Sequence, residues 1–197
     1  MRINEKDGLI VVDVQNDFCP GGAVAVEGGD EAVKAISEVA QEFRARGGRV
    51  YATQDWHPAG HSSFEEGGGP WPAHCVQATE GAQFHPDLRL PIGASIIRKG
   101  TDKREDALSG FEGTDLEEQL TRSGIRRIFV GGLATDYCVL STVLDAARRG
   151  FETYVLTDLI RAVNQQPDDG ENAIVRMKEG GAKTTTSETL LSDPDEQ

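Results

Sequence analysis

Three cysteines in 197 residues (Cys19, Cys75 and Cys138) are too few for a disulfide framework, and the odd number leaves at least one thiol free in a monomer. Long apolar runs are missing too. The longest near the N-terminus, Leu9–Val12, falls far short of the roughly 18 residues that a membrane span needs. Met1–Asp7 carries four charged side chains and no apolar stretch long enough for a secretory signal. Basic charge is scarce: 20 Lys and Arg stand against 33 Asp and Glu, a net charge of −13. That balance argues against binding nucleic acid, which needs a basic face, and against docking on anionic lipid. G-x-S-x-G, G-x-x-x-x-G-K-[ST], G-x-G-x-x-G and H-E-x-x-H are all absent, which removes the serine-elbow, phosphate-loop, dinucleotide and zincin readings. The remaining expectation is a cytoplasmic protein with reduced thiols and a small-molecule partner.

What is present has a regular rhythm. At roughly 150 residues per domain, the length predicts a single domain over residues 1–197. Short apolar runs at Leu9–Val14, Arg49–Thr53, Ser95–Arg98, Arg127–Gly131 and Thr153–Thr157 read as buried strands. Between them, Glu31–Arg46, Asp136–Arg149 and Gly170–Glu179 place apolar residues at helical spacing, with Gly47 and Gly150 ending the first two. Strand and helix in alternation predict an α/β fold: a parallel sheet covered by helices on both faces. Residues 54–91 break the rhythm with five prolines, both tryptophans and all four histidines. Loops this long in a compact domain are functional or disordered, and exposing Trp56, Phe64, Trp71 and Phe84 disfavours disorder. The acidic tail 192–197 is expected to fray.

Four features carry chemistry, each with a plainer reading beside it. Asp13 is the only charge in its apolar strand, near the carboxyl end where open α/β sheets bind ligands; it is either a tuned proton acceptor or a loop cap. Cys138 follows a strand and the turn Gly131-Gly-Leu-Ala134, at the start of a helix. The helix N-terminus favours thiolate there, and turn N–H groups could hold an oxyanion, although most free cysteines are only packing residues. Asp55, His57, His61 and His74 cluster on one loop. One carboxylate and several imidazoles suit a divalent Zn, Fe or Mn ion, against the alternative of scattered surface histidines. Lys99 ends the third strand, where it could keep a carboxylate or thiolate ionised, or simply be solvated.

Taken together, Val12-Asp-Val-Gln-Asn-Asp-Phe-Cys-Pro-Gly-Gly22, Asp55-Trp-His-Pro58, Trp71-Pro-Ala-His-Cys75, Arg98-Lys-Gly-Thr-Asp102, Ser109-Gly-Phe111 and Gly132-Leu-Ala-Thr-Asp-Tyr-Cys138 resemble the nicotinamidase/pyrazinamidase group of the isochorismatase-like cysteine hydrolases. The resemblance runs from about Gly8 to Val163. It implies a three-layer sandwich around a mainly parallel six-stranded sheet. It also implies Cys138 as nucleophile, Asp13 as acid and base, and Lys99 as their partner, with Ala134 and Cys138 N–H groups as the oxyanion hole. Asp55, His57 and His74 match the metal ligands, with zinc foremost, and His61 matches a ligand found in some members only. Phe18, Trp71 and Leu133 match the substrate pocket, the Leu133–Ala134 bond a cis peptide, and the implied substrates are nicotinamide and pyrazinamide. Leu108 departs from the pattern, standing where many members carry Tyr. A homo-oligomer is left open. So are three rival readings: a related amidase for other carboxamide or N-carbamoyl substrates, a metal-hydroxide hydrolase with a structural Cys138, and an inactive binding module.

Overall fold

The computed structural model describes residues 1–192. Apart from Ser192, the acidic tail lies outside the described residues. Six strands form one sheet: β1 (Asp7–Val12), β2 (Arg49–Asp55), β3 (Ser95–Lys99), β4 (Arg127–Leu133), β5 (Glu152–Arg161) and β6 (Lys183–Thr185). Their order is β3-β2-β1-β4-β5-β6, and every pairing is parallel. The helices are α1 (Glu31–Ala45), α2 (Leu116–Arg122), α3 (Leu140–Arg148), α4 (Asp169–Glu179) and α5 (Ser187–Leu191).

The layers follow from strand pleating, which sends successive side chains to opposite faces. Leu9, Val11, Val50, Ala52 and Phe129 point to one side and pack under Val33, Ile36, Ala40 and Phe43 of α1 and Leu190 of α5. Ile10, Val12, Ile97, Ile128 and Val130 point to the other, under Leu116 and Leu120 of α2, Val143 and Ala146 of α3, and Ala173 and Met177 of α4. All six residues of β1 are buried, as a central strand covered on both faces requires. The chain is thus the expected three-layer α/β sandwich.

β2, β4 and β5 run longer than periodicity predicts, whereas β1 ends at Val12, two residues before the expected Val14. β2 continues to Asp55 because the side-chain amide of Gln15 pairs with that residue's backbone: Asp55 N–H donates to Gln15 Oε1 (2.8 Å) and Gln15 Nε2 donates to Asp55 O (2.8 Å). β4 continues to Leu133 alongside β1 and β5, through Gly132 at φ +127°, where a Cβ would lie 2.1 Å from Val12 O. Only glycine fits that approach. The predicted helix from Asp136 begins instead as a π turn, Thr135–Val139, before α3. α2, β6 and α5 are too short and too polar to stand out from residue spacing.

Strand order reverses beside β1, between the β1-β2-β3 half and the β4-β5-β6 half. In such sheets the crevice beyond the carboxyl ends at this switch point is where ligands bind. Asp13 leaves β1 there, and the Thr135–Val139 turn leaves β4 beside it.

Candidate active site

Asp13 immediately follows β1 at φ +46°, a left-handed conformation that Asp tolerates better than most residues. Its carboxylate is wholly buried. Thr53 Oγ1 donates to Asp13 Oδ1 at 2.6 Å, and the Asp13 N–H returns to the same hydroxyl at 3.2 Å. Oδ2 lies 3.0 Å from Lys99 Nζ, yet no hydrogen bond saturates it among the described residues. Burial pushes the Asp13 carboxyl above its ordinary range, partly offset by Lys99.

Lys99, the last residue of β3, is the hub. Its ammonium meets Asp55 Oδ1 at 2.5 Å, Asp13 Oδ2 at 3.0 Å, Ala107 O at 3.0 Å and Cys138 Sγ at 3.5 Å. Burial would strip its proton, but two carboxylates outweigh burial and hold it well above the ordinary lysine value. Asp55 is held well below its ordinary value, Lys99 and His57 overcoming burial.

Cys138 departs from the reasoning based on its helix terminus. Its thiol is pushed well above the ordinary value, by burial first and then by Asp13 and Asp55, with Lys99 opposing. The expected lowering at a helix start is outweighed because the thiol is buried beside two anions. The Leu133–Ala134 peptide is cis. Beyond it, the N–H groups of Tyr137 and Val139 both donate to Ala134 O at 3.1 Å, which commits those two donors within the turn. Cys19 and Cys75 are buried elsewhere; burial and Asp30 push the Cys19 thiol up to about 11, and burial pushes Cys75 up as well.

Asp55, His57 and His74 bring one donor atom each to within 4.8 Å of one another. His57 Nδ1 donates to Gly100 O (3.0 Å) and His74 Nδ1 to Pro72 O (2.8 Å). A carbonyl can only accept, so each ring carries a hydrogen on Nδ1 and leaves Nε2, which in His57 faces Asp55 Oδ2 at 3.6 Å, for the ligand role, the arrangement that orients metal-binding histidines. The three donors therefore fit a divalent cation. His61 stacks on His57 with ring centroids 4.2 Å apart. Both its nitrogens are engaged, Nε2 by Glu105 O (3.1 Å) and Nδ1 by Ser63 Oγ (2.7 Å), so a ligand role would require breaking these bonds.

Phe18, Trp71, His74, Leu108, Ala134 and Cys138 line a cavity of about 470 Å3, counting its mouth. Leu133, expected at this wall, is fully buried in the core and does not line the cavity, because its side chain falls on the α1 face of the sheet. Asp55 and His57 line it as well, and Val24, Ser63, Asp106, Tyr137 and Val163 complete the lining; residue-type reasoning passed over these five because each comes from a different loop. Tyr137, next to Cys138, packs edge-on against Trp71 at 5.1 Å.

A doubly wound parallel sheet with a thiol, an ammonium and two carboxylates gathered at its switch point is a frame suited to covalent hydrolytic chemistry. The chain belongs to the isochorismatase family: residues 7–189 match the isochorismatase domain. It is 42% identical over 199 residues to a nicotinamidase of Escherichia coli strain K12, across 90% of this chain and 93% of the relative. Among solved structures it resembles the pyrazinamidase of Pyrococcus horikoshii in complex with zinc (TM-score 0.88, 46% identity, 92% of this chain and 99% of that one). It also resembles PnC1 from L. infantum in complex with nicotinate (TM-score 0.87, 38% identity, 95% and 96%).

Proposed function

We propose that this protein is an amidohydrolase converting nicotinamide to nicotinate and ammonia through a thioester on Cys138, as one cytoplasmic domain spanning residues 1–197. The observation that carries this reading is Lys99 Nζ, set 3.0 Å from Asp13 Oδ2 and 3.5 Å from Cys138 Sγ on a cavity lined by Phe18 and Trp71. Its relatives named as nicotinamidase and pyrazinamidase support the substrate class, and its three free cysteines support the reducing compartment.

Asp13 takes the thiol proton on Oδ2, the oxygen no hydrogen bond saturates, and Lys99 steadies the sulfur's new charge. The thiolate attacks the carboxamide carbon, and the N–H groups of Ala134 and Cys138 hold the oxyanion. Asp13 returns its proton to nitrogen, the C–N bond breaks and ammonia leaves. Water then adds to the thioester as Asp13 takes its proton; the C–S bond breaks and the thiol is restored. Phe18 and Trp71 flank the ring. Asp55, His57 and His74 would hold the metal, and His61 buttresses His57 by stacking. When bound, a divalent cation, zinc in our reading, supplies a Lewis-acid anchor for the ring nitrogen.

Ammonia release from nicotinamide and from benzamide tests this. Benzamide has the shape without the ring nitrogen and should turn over far more slowly, while an acid quench during nicotinamide turnover should trap an acyl adduct on Cys138. Equal turnover with no adduct would favour a metal hydroxide and return Cys138 to packing.

A further inference from the structure

His61 is a fully buried imidazole beside the Asp55, His57 and His74 trio, and the roles of its two nitrogens are fixed by their partners. Ser63 N–H points at Nδ1 (3.2 Å), so Nδ1 accepts, and the Ser63 hydroxyl donates to the same nitrogen (2.7 Å). Nε2 faces Glu105 O (3.1 Å), which can only accept, so the ring hydrogen sits on Nε2. His57 and His74 have the opposite arrangement, with hydrogen on Nδ1 against a carbonyl. His57, His61 and Asp106 do bring donor atoms within 4.8 Å of one another, but a cation bound there would have to displace the Nε2 hydrogen or the Ser63 donors.

What His61 holds is the loop that leaves β3. Its bond to Glu105 O, with Ser62 N–H on Lys103 O (2.9 Å), zips residues 61–62 to residues 103–105. Two residues further on, Ala107 O accepts from the Lys99 ammonium at 3.0 Å. An ammonium has three hydrogens to give. Here they go to Asp55 Oδ1, Ala107 O and Cys138 Sγ, while Asp13 Oδ2 lies 3.0 Å from Nζ and receives none. Asp55 Oδ1 and Ala107 O thus set the rotation that aims the third N–H at sulfur and leaves Asp13 Oδ2 open to a proton.

We infer that His61 is a positioning residue for Lys99, clamping the loop whose Ala107 carbonyl aims the ammonium at Cys138, and is not a ligand of the cation. When the clamp is lost, the freed N–H turns to Asp13 Oδ2 and occupies the oxygen that receives the thiol proton. The inference rests on the amidohydrolase reading only in assigning Asp13 and Lys99 to activation of that thiol.

Two variants, neither larger than histidine, separate the roles. In His61→Gln the side-chain amide nitrogen falls near the place of Nε2 and can still donate to Glu105 O; in His61→Asn the shorter amide cannot reach it. Both lose the imidazole and its stack on His57 alike. Alkylation of Cys138 by iodoacetamide, which forms the C–S bond and expels iodide, is followed by peptide mass spectrometry with zinc saturating, so that metal occupancy is matched. The rate should fall about tenfold in His61→Asn, the worth of one hydrogen bond, and return to within about threefold of wild type in His61→Gln. A wild-type rate in His61→Asn, or equal losses in the two variants, would overturn the inference. Nitrogen-15 NMR of the zinc-loaded wild type is decisive whether or not the variants fold. It should show His61 with Nε2 protonated and Nδ1 an unprotonated acceptor, and a metal-bound nitrogen on His61 would overturn the inference. Nicotinamide turnover by the wild type reports separately: its absence would sink the amidohydrolase reading and leave the alkylation rates and the NMR as evidence about His61.

Discussion

Cys138 meets two opposing demands. Burial and two nearby carboxylates favour its neutral form, yet attack on an amide carbon needs the thiolate. Asp13 reconciles them, because a carboxyl pushed up by burial is a stronger base than an exposed one and holds a free oxygen beside the same ammonium. Cys138→Ala should therefore lower kcat by several orders of magnitude while circular dichroism and the unfolding midpoint stay near wild type. Cys19→Ala, in the α1-side core, should be far milder; comparable losses in the two variants would deny Cys138 its role. Gly100 makes a second residue-scale case. Its φ is +60°, and a Cβ there would sit 2.4 Å from His57 Cε1 and 2.6 Å from His57 Nδ1. Gly100→Ala should displace the imidazole and break its bond to Gly100 O. The expected loss in zinc affinity is about 10- to 100-fold, the cost of disturbing a ligand's supporting bond, measured by competition with a chelator.

At the scale of elements, the site is built from strand ends and the loops that follow them. β1, β2, β3 and β4 end at or just before Asp13, Asp55, Lys99 and the Ala134–Cys138 turn, so a parallel sheet delivers four chemical groups to one edge. These residues were legible in the sequence because a charge or a thiol at the end of an apolar run stands out. Residues 54–91 read as a histidine-rich loop too apolar to be disordered, and the structure orders it, but its internal geometry was not legible: the His57–Val76 and Phe64–Trp71 bridges follow no residue spacing. Nor could spacing show Gln15 extending β2, or Leu133 turning to the core while its neighbour Ala134 faces the cavity. Leu108, on the loop between β3 and α2, does line the cavity, half-buried. Leu108→Tyr should shift KM among ring-substituted nicotinamides by about 10- to 200-fold, the range of a shape change in an apolar pocket. Identical kinetics across a series of substituted amides would remove it from the ring's path.

For the molecule as a whole, the amino ends of the strands, opposite the site, carry a stabilising contact of their own. Arg127 grips Asp7 with two bonds, Nε to Oδ1 at 2.9 Å and Nη2 to Oδ2 at 2.8 Å, joining β4 to β1. Asp7 is buried and also accepts from Asn4 N–H, while a fifth of the Arg127 side chain reaches solvent. Arg127→Met strands the carboxylate and should cost about 3 kcal/mol, the lower end for a broken buried pair given that exposure, or roughly 6–12 °C in Tm for a chain of this length. Asp7→Asn/Arg127→Met should recover part of it. Scanning calorimetry distinguishes this from a site effect, since ammonia release by the folded fraction should be unaltered.

Apolar periodicity alone determined the layered α/β architecture, because burying both faces of a parallel sheet leaves its mark on every strand and covering helix. Residue type at the strand ends determined the candidate nucleophile, base and ammonium, and motif order the family. Tertiary structure alone decided the electrostatics and the walls. The raised Cys138 thiol, the engaged nitrogens of His61 and the core position of Leu133 each depend on which groups from distant loops share a few ångströms of low-dielectric space. Charge–charge energies scale with separation and solvation, and neither is a property of sequence spacing.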